Sequence, residues 1–323
     1  MQALVYYRSV LRYLLGQGLN RLRPKTFFSS VVPLTLKEVP FTPPEGHVVL
    51  KVRLCGICGS DLGLLKASES LLMEPYASFP AIIGHEVVGE VVSAPAGCDL
   101  EPGRRVVMEP LLSCRARGLE PCRWCKQEAY NLCEHFTSGE LPPGVVQGYN
   151  QAAGGGMAEF MAVHPSQVIP VPDGISDEDA VLTDSLASAL HPALMHFPSE
   201  AVEKDDAPVL IFGAGIIGQH LIRCLRALGS KARLLVVARH PFQAELAKAG
   251  GADDVIFSSR RKELGKAVGA RFLPTTLGGG NLEGGTPLIF DCVGSSRTLQ
   301  ESLLLLRARG KYVMVGTAGQ VSK

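Results

Sequence analysis

The sequence predicts two domains, a small antiparallel β-barrel or sandwich followed by a doubly wound parallel α/β sheet. Three observations carry that prediction. The chain has 323 residues, enough for two domains at ~100–200 residues each. Up to about residue 172 it is rich in Gly and Pro, with short β-branched runs at close intervals. After residue 207 strand-like and helix-like segments alternate, which is the pattern of a parallel sheet covered by helices.

In chain order, ALVYY (3–7) reads as a first strand and SVLRYLLGQGLNRL (9–22) as a short amphipathic helix with its arginines in water. The first 37 residues contain no Asp or Glu, whereas Arg8, Arg12, Arg21, Arg23, Lys25 and Lys37 are basic. That composition is faintly like an organellar transit peptide, but strand and helix account for it more simply. HVVLKVRL (47–54), EVVGEVVSA (86–94), RRVVMEP (104–110) and AEFMAVH (158–164) supply the antiparallel strands. From about residue 175, DEDAVLTDSLASALHPALMHF has helical spacing with acids in its first turn, as a helix N-terminus prefers.

The second half then runs PVLIFGAG, IIGQHLIRCLRALG, RLLVVAR, PFQAELAKAG and ADDVIF, and later PLIFDCVG, the helical TLQESLLLLRARG and the strand GKYVMVG. LGGGNLEGG (277–285) reads as a flexible surface loop.

Composition narrows the function. Hydrophobic residues make up 46% and charged residues 20%, which describes a globular chain rather than a disordered one. A formal net charge of +1 gives no reason to expect nucleic acid as a partner. No apolar run approaches the ~18 residues of a membrane span, and no secretory head is present. Five of the nine cysteines fall between positions 98 and 133. Without an export signal, such clustering favours metal binding or free thiols in a reducing, cytoplasmic setting.

Strand VLIF leads directly into Gly213-Ala-Gly215-Ile216-Ile217-Gly218 and a helix, with a second strand about 20 residues on. In that context the glycines predict a dinucleotide site. The first permits the tight turn, the second admits a pyrophosphate and the third lets helix and strand pack closely. The second strand ends Val237-Ala238-Arg239-His240, with no acid for a ribose 2′-hydroxyl. Arg239 therefore favours NADP(H) over NAD(H). Val293 and Gly316, closing two later strands, complete the expected cofactor contacts.

Cys122, Cys125 and Cys133 form a tight cluster, with Cys114 eight residues upstream. Four thiolates close the shell of a structural zinc, and Arg115, Arg117, Arg123 and Lys126 offset their charge. Cys55, Cys98, Cys224 and Cys292 read as packing residues.

CGICGSD (55–61), GHEVVGEVVS (84–93), the cysteine lobe and GAGIIG (213–218) together resemble the zinc-dependent alcohol dehydrogenases of the medium-chain dehydrogenase/reductase superfamily, over nearly the whole chain. The resemblance implies a GroES-like catalytic domain (1–175) with a structural zinc lobe at about 108–135, and a Rossmann dinucleotide-binding domain (176–323). It implies Cys58 and His85 as ligands of a catalytic zinc, with Asp184 in the place of the third. Glu86 matches the acid beside the metal and Ser60 the hydroxyl that relays the alcohol proton, while Cys114, Cys122, Cys125 and Cys133 match the structural site.

Expected in consequence are two zinc ions per chain, an alcohol, polyol or aldehyde substrate, and a homo-oligomer with no membrane or nucleic-acid partner. Three protein ligands leave one metal position open, and the metal acts there as a Lewis acid.

Plainer readings compete at single residues: Cys58 as a buried thiol, Asp184 as a first-turn helix acid and Ser60 as a turn cap. Departures from the family pattern add to them. Gly63 stands where some relatives carry a relay His, and Pro95 replaces a Gly or Ala. Seven residues separate Cys114 from Cys122 where two are common, and Leu119 occupies the usual position. Relatives usually continue past GKYVMVG with a last strand and a return to the catalytic domain, a segment expected to be missing here. The alternative function is a catalytically silent zinc- and dinucleotide-binding protein. A zinc-independent enoyl or quinone reductase is disfavoured, because such relatives generally lack these ligands.

Overall fold

The β-branched runs of the first half pair as their alternation predicts: within HVVLKVRL, Val48 and Leu50 are buried while Lys51 and Arg53 face water. The computed structural model describes residues 1–22, 31–68, 71–257, 260–276 and 279–316. Arg23, Lys25, Leu277, Gly278 and the closing residues from 317 onward lie outside the described residues.

Strands β1 (Gln2–Tyr6), β2 (Leu34–Glu38), β3 (Val48–Cys55), β4 (Ala81–Ile82), β5 (Val87–Ser93), β6 (Arg105–Met108), β7 (Phe160–Val163) and β8 (Val168–Pro170) form two sheets. Their orders are β2-β1-β4 and β7-β3-β5-β6-β8, with antiparallel neighbours throughout. The larger sheet closes over Val48, Leu50, Val87, Val91, Val106, Met108, Met161 and Val163. Each such side chain contributes roughly 1.5–3 kcal/mol by leaving water.

Helix α1 (Val10–Leu22) forms where expected, with Arg12 in water. Its apolar residues Val10, Leu11, Leu14, Leu15 and Leu22 are exposed too, whereas Tyr13 and Gly16 turn inward, and Arg8 just before it pairs with Glu74. The short helix α2 (Gly59–Leu65) follows β3.

The long helix expected from residue 175 is divided into α3 (Asp177–Ala180) and α4 (Thr183–Met195). The Thr183 hydroxyl donates to the Ala180 carbonyl at 2.7 Å, a side-chain bond that replaces a helical one. Restarting the helix there puts Asp184 in the first turn of α4. α3 is tied to the barrel by Asp177, which accepts from Arg53 of β3 at 2.6 Å and Arg105 of β6 at 2.9 Å.

The chain divides into two compact units, residues 1–184 and 185–323. In the second, β9 (Val209–Phe212), β10 (Leu234–Val237), β11 (Asp254–Ile256), β14 (Thr286–Asp291) and β15 (Leu306–Met314) form a parallel sheet in the order β11-β10-β9-β14-β15. All four residues of β9 are buried, as in a strand covered on both faces. The helices are α5 (Glu200–Glu203), α6 (Ile216–Ala227), α7 (Pro241–Ala249), α8 (Arg261–Ala267) and α9 (Ser296–Leu305).

The structure corrects two expectations. Part of the glycine-rich loop is strand: β12 (Arg271–Pro274) pairs with β13 (Gly280–Glu283), because Leu282 packs into the cluster around Leu264 and Val268. Helix α9 also stops at Leu305, so LRARG belongs to β15. Leu306 is already extended and pairs with Thr286, and Arg307 forms an ion pair with Asp205.

The two guanidinium groups hold the Asp177 carboxyl below its ordinary 3.8, first through the hydrogen bonds from Arg53 and Arg105. A depressed carboxylate stabilises the fold above its unfolded-state pKa, and that contribution is lost as pH falls through the folded value. Asp177→Asn is expected to lower the thermal midpoint at pH 7, with the gap to wild type closing below about pH 3.8. Midpoints measured across that range check both the sign and the window.

Candidate active site

Two short segments bring unlike donors together in the first unit. At the end of β3 the chain turns through Gly56 and enters α2, placing Cys58 at the helix N-cap. The Asp61 carboxylate accepts from the Cys58 backbone N–H at 2.9 Å and fixes the approach of the thiol. Opposite, the Gly56 N–H donates to the Glu86 carbonyl at 2.7 Å. A Cβ on Gly56 would lie 2.2 Å from Glu86 Oε2, so only glycine leaves that carboxylate its place.

The result is that Cys58 Sγ, a ring nitrogen of His85 and a carboxylate oxygen of Glu86 all lie within 4.8 Å of one another. His85 is 6% exposed, its Nδ1 and the Ser60 Oγ have no hydrogen-bond partner among the described residues, and Tyr149 packs on the ring at 5.9 Å. Asp184 is not one of the three closest donors, but its charge acts on the same imidazole.

The electrostatics describe a site short of positive charge. Burial alone would depress His85, yet its hydrogen bond to Cys58 and the charges of Cys58, Asp61 and Asp184 outweigh that and hold it at about 9. Burial pushes Asp184 up to about 6, with Glu86 and Glu109 acting the same way and His85 opposing them. Asp61 is also raised by burial. Buried soft and hard donors with an orphaned imidazole nitrogen suit a divalent cation such as zinc, which would neutralise this field.

The cysteine lobe is a second buried cluster. Cys114, Cys122, Cys125 and Cys133 pack together under Leu119, Trp124, Tyr130 and Phe136. Cys114 Sγ is 3.5 Å from Cys133 Sγ, so the longer loop does bring Cys114 in. Arg117 is fully buried and donates to the carbonyls of Leu112, Ser138, Leu141, Pro142 and Gly144, and its charge also acts on Cys114 and Cys133. Arg123 instead pairs with Glu134 at 2.7 Å and lies over Trp124. Backbone N–H groups, first that of Cys125, draw the Cys122 thiol down, while burial raises Cys114 and Cys125.

In the second unit the three glycines have different surroundings. Gly213 has φ +92°, and a Cβ there would strike Val293 Cγ2 at 2.7 Å. Gly218 lies so close to β9 that its Cβ would meet the Gly213 carbonyl at 2.0 Å. Gly215, the N-cap of α6, has nothing within 4 Å, leaving open space before the first-turn amides of Ile216 and Ile217. Gly316 packs on the Cys292–Val293 backbone so tightly that a Cβ there would lie 2.6 Å from the Cys292 carbonyl carbon. Gly213, Val293 and Gly316 thus meet at the C-terminal ends of β9, β14 and β15.

Asp291, which no sequence motif marks, secures that corner. It is fully buried and accepts from Val293 N, Gly294 N and the Tyr312 hydroxyl, each at 2.9 Å. Arg239 is exposed just past β10 and has no ion pair among the described residues.

Residues 44–173 match the alcohol dehydrogenase GroES-like domain, and residues 217–323 match the zinc-binding dehydrogenase family. L-Idonate 5-dehydrogenase of Vitis vinifera is 31% identical over 294 residues, covering 88% of this chain and 71% of that one. A sorbitol dehydrogenase of Arabidopsis thaliana is 28% identical, covering 87% and 71%. In fold, the chain is similar to a zinc-binding dehydrogenase of Sinorhizobium meliloti crystallised with NADP, with a TM-score of 0.68, 24% identity and coverage of 99% and 79%.

Gly215→Ala is expected to leave thermal stability close to wild type, since the added methyl enters open space, and to weaken dinucleotide binding about tenfold or more, ~1.4 kcal/mol. Gly218→Ala should instead destabilise the unit. Dinucleotide titration beside thermal melts separates the two, and unchanged affinity in Gly215→Ala would place the phosphates elsewhere.

Proposed function

The chain belongs to the zinc-dependent alcohol dehydrogenases of the medium-chain dehydrogenase/reductase superfamily, and from that premise we propose that it interconverts a polyol or related sugar alcohol and its carbonyl product, with NADP(H) preferred. That it is a zinc-dependent NAD(P)-linked oxidoreductase acting on alcohols follows from the family. The observation that carries the proposal is the meeting of Cys58, His85 and Glu86 within 4.8 Å.

Cys58 and His85 would hold the catalytic zinc together with a carboxylate, drawn from Glu86 within the tight set or from Asp184 facing the same imidazole. When bound, the ion supplies Lewis-acid polarisation of the alcohol oxygen. The protein's share is binding, orientation and proton handling. Asp61 fixes Cys58, and Tyr149 holds the His85 ring against rotation. Ser60 Oγ, buried and without a hydrogen-bond partner among the described residues, would relay the alcohol proton, accepting it while releasing its own towards water. A second zinc in the cysteine lobe is part of the same reading and is supported by the convergence of its sulfurs.

The polyol class rests on relatives whose names specify L-idonate, D-arabitol phosphate and sorbitol. NADP(H) rests on Arg239, a cation without an ion pair among the described residues, standing where an acid would otherwise meet the ribose. The nine cysteines are all unpaired, which fits a reducing compartment such as the cytoplasm.

Incubation with a polyol panel and each cofactor tests the assignment. Polyol-dependent reduction is expected in wild type and background rates in Cys58→Ser or His85→Ala, with dinucleotide affinity kept within a few-fold. Full turnover in either variant would refute the metal mechanism, and dinucleotide binding without any turnover would favour the silent-binder alternative. Arg239→Ala should raise the KM for NADP+ about tenfold, ~1.4 kcal/mol, and barely move that for NAD+. Equal losses for both would remove the phosphate argument.

A further inference from the structure

The cysteine lobe contains one donor more than a tetrahedral ion needs. Cys114, Cys122 and Cys133 sulfurs and a ring nitrogen of His135 all lie within 4.8 Å of one another. His135 Nδ1 is 3.2 Å from Cys114 Sγ, and the His135 backbone N–H donates to Cys133 Sγ at 3.4 Å, which holds the residue against the cluster. Cys125 belongs to the same buried group but stands outside that set of four donors. Around a zinc with Zn–S of about 2.3 Å and Zn–N of about 2.0 Å, donor atoms lie roughly 3.5–3.8 Å apart. The 3.2 Å and 3.5 Å separations from Cys114 to His135 and Cys133 are close to those edges.

We propose that His135 is a reserve ligand of the lobe metal, sharing the fourth coordination position with Cys125. The lobe then holds its ion through Cys114, Cys122, Cys133 and either Cys125 or His135. Two features point to exchange rather than to a fixed set. Cys125 lies three residues beyond Cys122 and is buried in the same cluster, so it can supply a thiolate beside Cys122. His135 lies two residues beyond Cys133, its Nδ1 within 3.2 Å of Cys114 Sγ, and joins the three shared sulfurs rather than displacing one. Thiolate and imidazole are both ordinary zinc donors, so the exchange changes the site's charge by one without opening its shell. The inference rests on the reading that this lobe binds zinc.

The full-length chain carrying Cys58→Ser and His85→Ala, which leaves the lobe as the remaining site, serves as parent. Cobalt(II) is loaded into it and into versions adding Cys125→Ala, His135→Ala or both, with folding checked by circular dichroism. The parent should bind one cobalt per chain with intense thiolate-to-metal absorption. Cys125→Ala should keep the metal with weaker absorption, while the double replacement should lose roughly tenfold or more in affinity beyond either single one. If Cys125→Ala loses as much metal as the double replacement, His135 is no ligand and the inference falls. A parent that binds no cobalt overturns the lobe reading itself, a distinguishable failure that takes this inference with it. A second measurement uses the otherwise unaltered chain: zinc release from the lobe to excess chelator should be faster in His135→Ala than in wild type, and equal rates would contradict the proposal.

Discussion

The first unit depends on one electrostatic constraint: Cys58, Asp61, Glu86 and Asp184 are gathered about a single buried imidazole. Burial penalises every charged form in such a place, so protons are the only relief the protein itself supplies. His85 is held protonated to about 9, and Asp184 stays protonated up to about 6. A divalent cation removes the need for those protons and turns a liability into a ligand set. The surrounding design follows from that requirement. Gly56 makes room for a carboxylate, Asp61 fixes a thiol through the backbone, and the sheets position two motif segments that are far apart in sequence.

The second unit, read as the dinucleotide-binding one, faces a different problem, the approach of a charged ligand to main chain. Its solution is an absence of side chains at chosen points, and the three glycines of one turn divide the task between them. Gly213 gives the left-handed backbone, Gly215 gives free space and Gly218 gives contact between helix and strand. Asp291 braces the neighbouring corner through three hydrogen bonds, so the Val293 loop is held without any contribution from a ligand.

Much of this is legible in the sequence because it rests on local pattern. Leu50 and Val52 alternate with charged Lys51 and Arg53, VLIF is apolar throughout, and GAGIIG sits between a strand and a helix; each pattern has one structural solution. Where sequence and structure part, local and distant contacts compete. LRARG reads as a last helical turn until Thr286 pairs with Leu306, and NLE reads as loop until Leu282 finds the Leu264 cluster. Thr183 splits a helix through one hydroxyl bond, which no periodicity reports. The site residues that sequence reasoning does not single out, Asp61, Tyr149, His135 and Asp291, act by orientation across long sequence gaps or lie beside stronger motifs. Arg117 reads as a charge in the sequence and does act on Cys114 and Cys133, but its bonds to a loop's carbonyls show only in the fold.

The central claim is that two donor sets, the Cys58–His85–carboxylate group and the cysteine lobe, assemble around zinc in this chain. Elemental analysis of the purified protein tests it most directly. Two zinc ions per chain are predicted. A preparation fully supplied with zinc that holds none would mean that protons alone satisfy both clusters, and the metal account would be wrong.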